Sequence, residues 1–109
     1  MNYLRNLPTE QAEALASLVP VQPGRVVSMA LSKSEHCQMV LLSFGAGESV
    51  SEESYFGDMF YYVLSGSMRL ELPDSQQTLS AGECISVPAH TLHAIGGGSA
   101  FQLLQITVQ

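Results

Sequence analysis

Two histidines stand close together in residues 88–93 (PAHTLH), directly after a short apolar segment. Histidine is the commonest metal ligand and titrates near neutral pH, so both rings could serve a metal or a substrate. The plainer alternative is that His90 is an exposed loop residue and His93 a hydrogen-bonded interior one. We therefore take His93 as the stronger candidate for a metal or ligand contact and His90 as the weaker.

A group of carboxylates precedes the most aromatic segment of the chain. If this stretch is extended, Glu53 and Tyr55 lie on one face and Glu52 on the other. One inward carboxylate beside an inward histidine could form a metal pair or an acid–base pair. For Glu48, Glu52 and Asp58 we favour a solvated edge whose charges oppose aggregation.

Six short segments with the apolar or alternating character of β-strands must position these groups. They are residues 26–31, 38–44, 59–64, 68–72, 84–87 and 101–108. Turn signals rich in Gly, Pro, Asp and Ser separate them. Many short strands at this spacing favour an antiparallel sandwich or barrel.

The N-terminal segment has a different period. Ala12, Leu15, Ala16 and Val19 recur at helical spacing, and Pro20 ends the pattern. We expect residues 1–24 to form a short N-terminal α-helix and a turn. Residues 25–109 are predicted to form one all-β barrel domain.

Composition excludes several classes of protein. The 109 residues suit a single domain, and 46% hydrophobic with 13% charged residues is not the composition of a disordered chain. Ten acidic and four basic side chains give a net charge of −6, so nucleic acid and anionic membranes are poor partners. The sequence has neither an apolar run of ~20 residues nor an apolar signal-peptide core, and we expect a cytoplasmic protein.

Residues 59–64 (MFYYVL) are apolar without alternation, which predicts a strand covered on both faces. The barrel interior would cover one face. Because the chain is short, a second subunit is the simplest explanation of what covers the other face. We therefore expect a homodimer.

The arrangement resembles the cupin family, whose small jelly-roll barrels carry two sequence motifs. Five residues separate Gly82 from Pro88, and two separate His90 from His93, as in the second motif of the family. Gly47 and Gly66 bracket the first motif at the family spacing. The resemblance covers about residues 26–108 and implies an RmlC-like double-stranded β-helix, a jelly-roll barrel.

The first motif departs from the family pattern. Glu53 and Tyr55 stand where the family has His-x-His, and Met59 stands where it has its ligand glutamate. Of the three histidines and one glutamate, His93 alone remains, and the soft thioether of Met59 does not suit hard or borderline metals. The resemblance thus implies the fold with a largely lost metal site. There His93 and Glu53 could bind Zn, Ni, Mn or Fe weakly.

Three functions stay open, and no catalytic residue is predicted. The first is a small-molecule-binding or sensing cupin of unknown ligand. Its barrel mouth would be lined by Glu53, Tyr55, Met59, Tyr61, His90 and His93. The second is a metal-dependent oxygenase or isomerase with a non-standard ligand set around His93, and the third is a structural dimer without ligand. The acidic charge predicts a neutral or weakly cationic ligand.

Overall fold

The computed structural model describes residues 3–32 and 34–109, so Met1, Asn2 and Lys33 of the predicted domains lie outside the described residues. These residues contain a short 3₁₀ helix, Leu15–Leu18, followed by nine strands. The strands are β1 (Val26–Ala30), β2 (Cys37–Phe44), β3 (Ser49–Glu53), β4 (Asp58–Ser65), β5 (Ser67–Glu71), β6 (Gln76–Ser80), β7 (Cys84–Val87), β8 (His93–Gly96) and β9 (Phe101–Val108).

The strands form two antiparallel sheets that face each other. One sheet has the order β1-β2-β9-β4-β7 and the other the order β3-β8-β5-β6. Their inner faces enclose one continuous apolar core. Its largest fully buried side chains include Tyr61, Phe44, Phe101, Met59 and Met68. The prediction of an all-β jelly roll is confirmed.

β4 and β5 follow each other in the chain but lie in different sheets, and each alternates between a core face and an outer face. In β5, Met68 and Leu70 are buried, while Arg69 and Glu71 point outward and form an exposed ion pair at 3.3 Å. In β4, the odd-numbered residues from Met59 to Val63 are buried in the core. The even-numbered residues from Phe60 to Leu64 are half-buried on the outer face. β5 thus alternates between buried and exposed residues, whereas β4 is apolar on both faces.

The N-terminal segment packs on the outer face of the five-stranded sheet. Val19, Leu31 and Leu41 form the centre of this second apolar cluster. Gln102 of β9 holds the segment, because its side-chain NH₂ group donates to the carbonyl oxygens of Ala16 and Val19, each at 2.8 Å. The segment therefore covers one part of the outer face and leaves the rest of it open.

The N-terminal α-helix predicted from the apolar period is wrong. Among the described residues helix is confined to Leu15–Leu18, with a 3₁₀ bond from Ser17 N to the Ala14 carbonyl at 3.0 Å. Pro20 has no N–H to bond the Ala16 carbonyl, so a helix cannot continue through it. Gln102 supplies that donor instead. No helix in the described ranges is long and apolar enough to span a membrane.

Candidate functional site at the barrel mouth

The two sheets are joined in the core by a hydrogen bond between Tyr61 of β4 and His93 of β8. Tyr61 is 1% exposed and His93 3% exposed. The Tyr61 hydroxyl lies 2.7 Å from His93 Nε2, and His93 Nδ1 lies 2.8 Å from the Thr91 carbonyl oxygen. Because a carbonyl only accepts, Nδ1 carries the proton of the neutral ring and Nε2 accepts the Tyr61 proton. His93 points into the barrel, as expected, and both of its nitrogens have partners.

The protonated form of Tyr61 is strongly favoured. Burial raises the pKa of the Tyr61 phenol well above its ordinary value, and the negative charges of ionised Tyr55 and of Glu53 raise it further. A phenol that keeps its proton remains a donor. The Tyr61 hydroxyl therefore remains a hydrogen-bond donor above the pH at which an exposed tyrosine ionises.

Glu53 and Tyr55 form a second polar pair beside the first. Glu53 lies opposite His93 across β3 and β8, but its Oε2 accepts from the Tyr55 hydroxyl at 2.9 Å. Burial, together with the hydrogen bond to Glu53 and its charge, raises the pKa of Tyr55 to about 12. The Tyr55 and His93 rings are tilted, with centroids 5.6 Å apart. The predicted groups thus gather at one end of the barrel, although Glu53 and His93 use different partners.

His90 lies outside the core on the loop at the same end. Its φ of +65° is left-handed, a region that favours glycine and is uncommon for other residues. The backbone N–H of His90 donates to the Tyr55 carbonyl at 2.8 Å. Its exposed ring meets Phe56 edge-on, with centroids 5.8 Å apart. His90 therefore belongs to the rim, as expected.

A cavity of about 300 Å³ opens at this end between β2, β4 and β9. Of the predicted site residues, Tyr55 and Met59 line it. Tyr61 and His93 lie deeper in the core, while Glu53 and His90 lie outside the lining. The remaining lining residues are Gln38, Phe56, Gly57, Gln105, Thr107 and Gln109.

The amide and hydroxyl side chains of this lining were not predicted from the sequence, because histidines, carboxylates and aromatic residues were selected there as site candidates. A signal for them exists in β9. Leu103, Gln105 and Thr107 are alternate residues of one strand and share its inner face. This face changes from apolar to polar toward the mouth, and that change marks the lining.

The residues of the barrel do not fit a tightly bound metal. His93 Nε2 is engaged by Tyr61, and Oε2 of Glu53 by Tyr55. The Met59 sulfur accepts from the Thr107 hydroxyl at 3.2 Å. The described part of the chain has no cluster of three or more His, Cys, Asp or Glu residues arranged for a metal ion. The single lone pair of His93 Nε2 accepts the Tyr61 proton, so this nitrogen would have to give up its present partner before it could bind a metal.

Two facing antiparallel sheets with a polar cluster at one mouth define a small jelly-roll barrel protein. The chain belongs to the cupin family, because the model of the cupin domain matches residues 40–106.

Solved structures agree with this assignment. A cupin superfamily protein from Desulfitobacterium hafniense DCB-2 is 45% identical, with a TM-score of 0.95 over 98% of each chain. A conserved protein of unknown function from Streptococcus pyogenes is 24% identical, with a TM-score of 0.95 over 100% of this chain and 96% of that one. An RmlC-like cupin with a double-stranded β-helix fold from Methanocaldococcus jannaschii is 18% identical, with a TM-score of 0.71 over 77% and 80% of the two chains. The last two show the fold alone. No curated protein matches the sequence.

Proposed function

We propose that this cupin binds a small neutral or weakly cationic molecule at the barrel mouth. The observation that carries the proposal is the cavity of about 300 Å³ lined by Tyr55 and Met59. Its volume is at the lower end of ligand pockets, which span ~300–1,000 Å³. Apolar and aromatic walls with a few polar groups are the usual character of such a site.

Charge decides the kind of ligand. Every side chain of the lining is uncharged, so an anion would lose its hydration without gaining a positive partner. An anion would also be repelled by the net charge of −6 on the chain. The carboxylate of Glu53, which is hydrogen-bonded to Tyr55 beside the cavity, adds to this repulsion. A neutral molecule meets neither cost, and a weak cation is attracted by the surrounding field.

A thermal-shift screen over small metabolites tests the proposal. A ligand at 100 times its dissociation constant should stabilise the fold by ~2.7 kcal/mol. Gln38→Trp should abolish the shift, because Gln38 lies at the exposed rim of the cavity. Gln76→Trp is the matched control, since Gln76 is exposed on β6 of the other sheet. A shift that survives Gln38→Trp would place the ligand elsewhere.

The other outcomes discriminate between the alternative functions. Selective stabilisation by carboxylates or phosphates would contradict the charge argument. Near-stoichiometric metal in protein purified without a His tag would favour the oxygenase or isomerase. A screen without hits from any class, together with metal-free protein, would favour the structural dimer.

The partner that we propose for the open outer face of β4 is a second copy of the chain. Ile106 lies between Met39 and Phe60 in the strand register, and Tyr62 is the next outward residue of β4. These four side chains are half-buried and uncharged. Because the chain carries −6 overall, two copies approach with least repulsion across such a face.

A further inference from the structure

The inner face of the five-stranded sheet becomes polar in its last two rows before the mouth. Thr107 of β9 lies between Gln38 of β2 and Met59 of β4 in the strand register. One row deeper, Gln105 lies between Val40 and Tyr61. Residues two apart along a strand are about 6.4–6.8 Å apart, so one small molecule can reach both rows.

These side chains have hydrogen-bonding capacity for a ligand. A glutamine amide offers one acceptor oxygen and two donor hydrogens, and a threonine hydroxyl offers both functions. Gln38 is exposed and Gln105 half-buried, and both line the cavity. The Thr107 hydroxyl donates to the Met59 sulfur, which is a weak acceptor that a ligand oxygen could replace. The complementary ligand group therefore carries a donor and an acceptor side by side.

Two aromatic side chains of the cavity, Phe56 and Tyr55, limit the shape of the rest of the ligand. Phe56 lines the cavity and is 85% exposed, so one of its faces is free for stacking. The Tyr55 hydroxyl is already committed to Glu53, which leaves its ring as the surface presented to a ligand. Aromatic side chains favour offset or edge-on contact with another planar ring.

We infer that the mouth binds a neutral aromatic or heterocyclic carboxamide. Its amide edge, a C=O beside an N–H, pairs with Gln105 and Thr107, while its ring packs against Phe56. This inference rests on the proposed function, because it specifies the ligand of the same cavity. It goes beyond that function by naming the recognition groups, none of which is charged.

Three probes of nearly equal shape test it: benzamide, benzoate and benzylamine, titrated into ¹⁵N-labelled protein and followed by NMR. Benzamide should shift the side-chain NH₂ signals of Gln38 and Gln105. It should also bind about tenfold more tightly than either charged probe, since burying an unpaired charge is costly. Gln105→Leu should weaken benzamide about fivefold, which is the order of one lost hydrogen bond.

Gln38→Leu repeats the test at an exposed position and covers the case in which Gln105→Leu fails to fold. Gln76→Leu, on the outer face of the other sheet, should leave the affinity unchanged. Tighter binding of benzoate or benzylamine, or benzamide binding that neither Gln38→Leu nor Gln105→Leu weakens, would overturn the inference. Mouth signals that respond to another metabolite but not to benzamide would overturn it and leave the proposed function standing. Mouth signals that respond to no molecule would overturn both.

Discussion

The Tyr61 hydroxyl lies 2.7 Å from Nε2 of His93 and connects the facing sheets inside the barrel. The bond joins residues 32 positions apart in the chain. With Nδ1 of His93 donating to Thr91, the ring is held in one tautomer by two fixed partners. The pair is therefore part of the packed core beneath the mouth, and a ligand would contact the side chains above it.

Tyr61→Phe should weaken the dependence of stability on alkaline pH. The unfolded phenol loses its proton near pH 10, whereas the buried one has a raised pKa and keeps it to higher pH. The stability that this contributes is complete below about pH 10 and is lost as the pH rises above it. Urea unfolding between about pH 8 and pH 11 should show a shallower decline for Tyr61→Phe than for wild type. Tyr3→Phe, at an exposed tyrosine, is the control, and identical slopes for wild type and Tyr61→Phe would contradict the prediction.

Divalent zinc, nickel or manganese should bind weakly, through His93 with help from Glu53. Catalytic sites usually need about three protein ligands, and Tyr61 competes for the available nitrogen of His93. In calorimetric titrations His93→Ala should abolish binding. Tyr61→Phe should tighten it about fivefold, because the competing hydrogen bond is gone. Tight, stoichiometric binding that persists in His93→Ala would show that the metal is held elsewhere.

Gln102→Leu should release the N-terminal segment from the sheet. The change leaves the carbonyls of Ala16 and Val19 without their side-chain donor, and it removes the acceptor of Ser65. We expect a loss of about 2–4 kcal/mol in the free energy of unfolding. Hydrogen exchange should rise in Leu15–Leu18. Gln77→Leu at an exposed position of β6 should change neither measurement, and unaltered exchange in Gln102→Leu would refute the role of this side chain.

The wild-type chain should sediment as a dimer at tens of micromolar. Phe60→Asp places a charge at the centre of the proposed interface and should shift the equilibrium toward monomer. A stable dimer interface buries at least ~1,200 Å², so one central charge is costly. Thr78→Asp, on an exposed position of β6, should leave the assembly unchanged. A monomeric wild-type protein would refute the interface.

Strands with an apolar pattern of their own were predicted well from the sequence. β7 and β9 have the predicted bounds, and β4 differs by one residue at each end. β8 was missed because it is only four residues long. β3 and β6 were missed because they are edge strands made largely of exposed polar residues, with Leu79 as the one buried side chain of β6. Their extended conformation comes from pairing with β8 and β5.

The positions of the candidate residues were predicted in part, for a similar reason. The inward orientation of His93 follows from its position in the family motif. The proximity of Glu53 and Tyr55 follows from their spacing of two residues, although β3 ends at Glu53. The Tyr61–His93 bond depends on how two sheets face each other, which no local pattern encodes. The glutamines of the mouth lie on β2 and β9, strands that looked like ordinary core strands until their register was known.

The order of the five-stranded sheet has a consequence for how the protein is made. β9 comes after all the other strands in sequence but lies at the centre of the sheet, between β2 and β4. While the ribosome is still synthesising residues 101–108, both neighbours present unpaired edges, and the Gln102 anchor for the N-terminal segment does not yet exist. Assembly must wait for contacts between distant parts of the chain, which slows folding and leaves nascent edges open to aggregation. The five-stranded sheet can therefore be completed only after β9 has been translated.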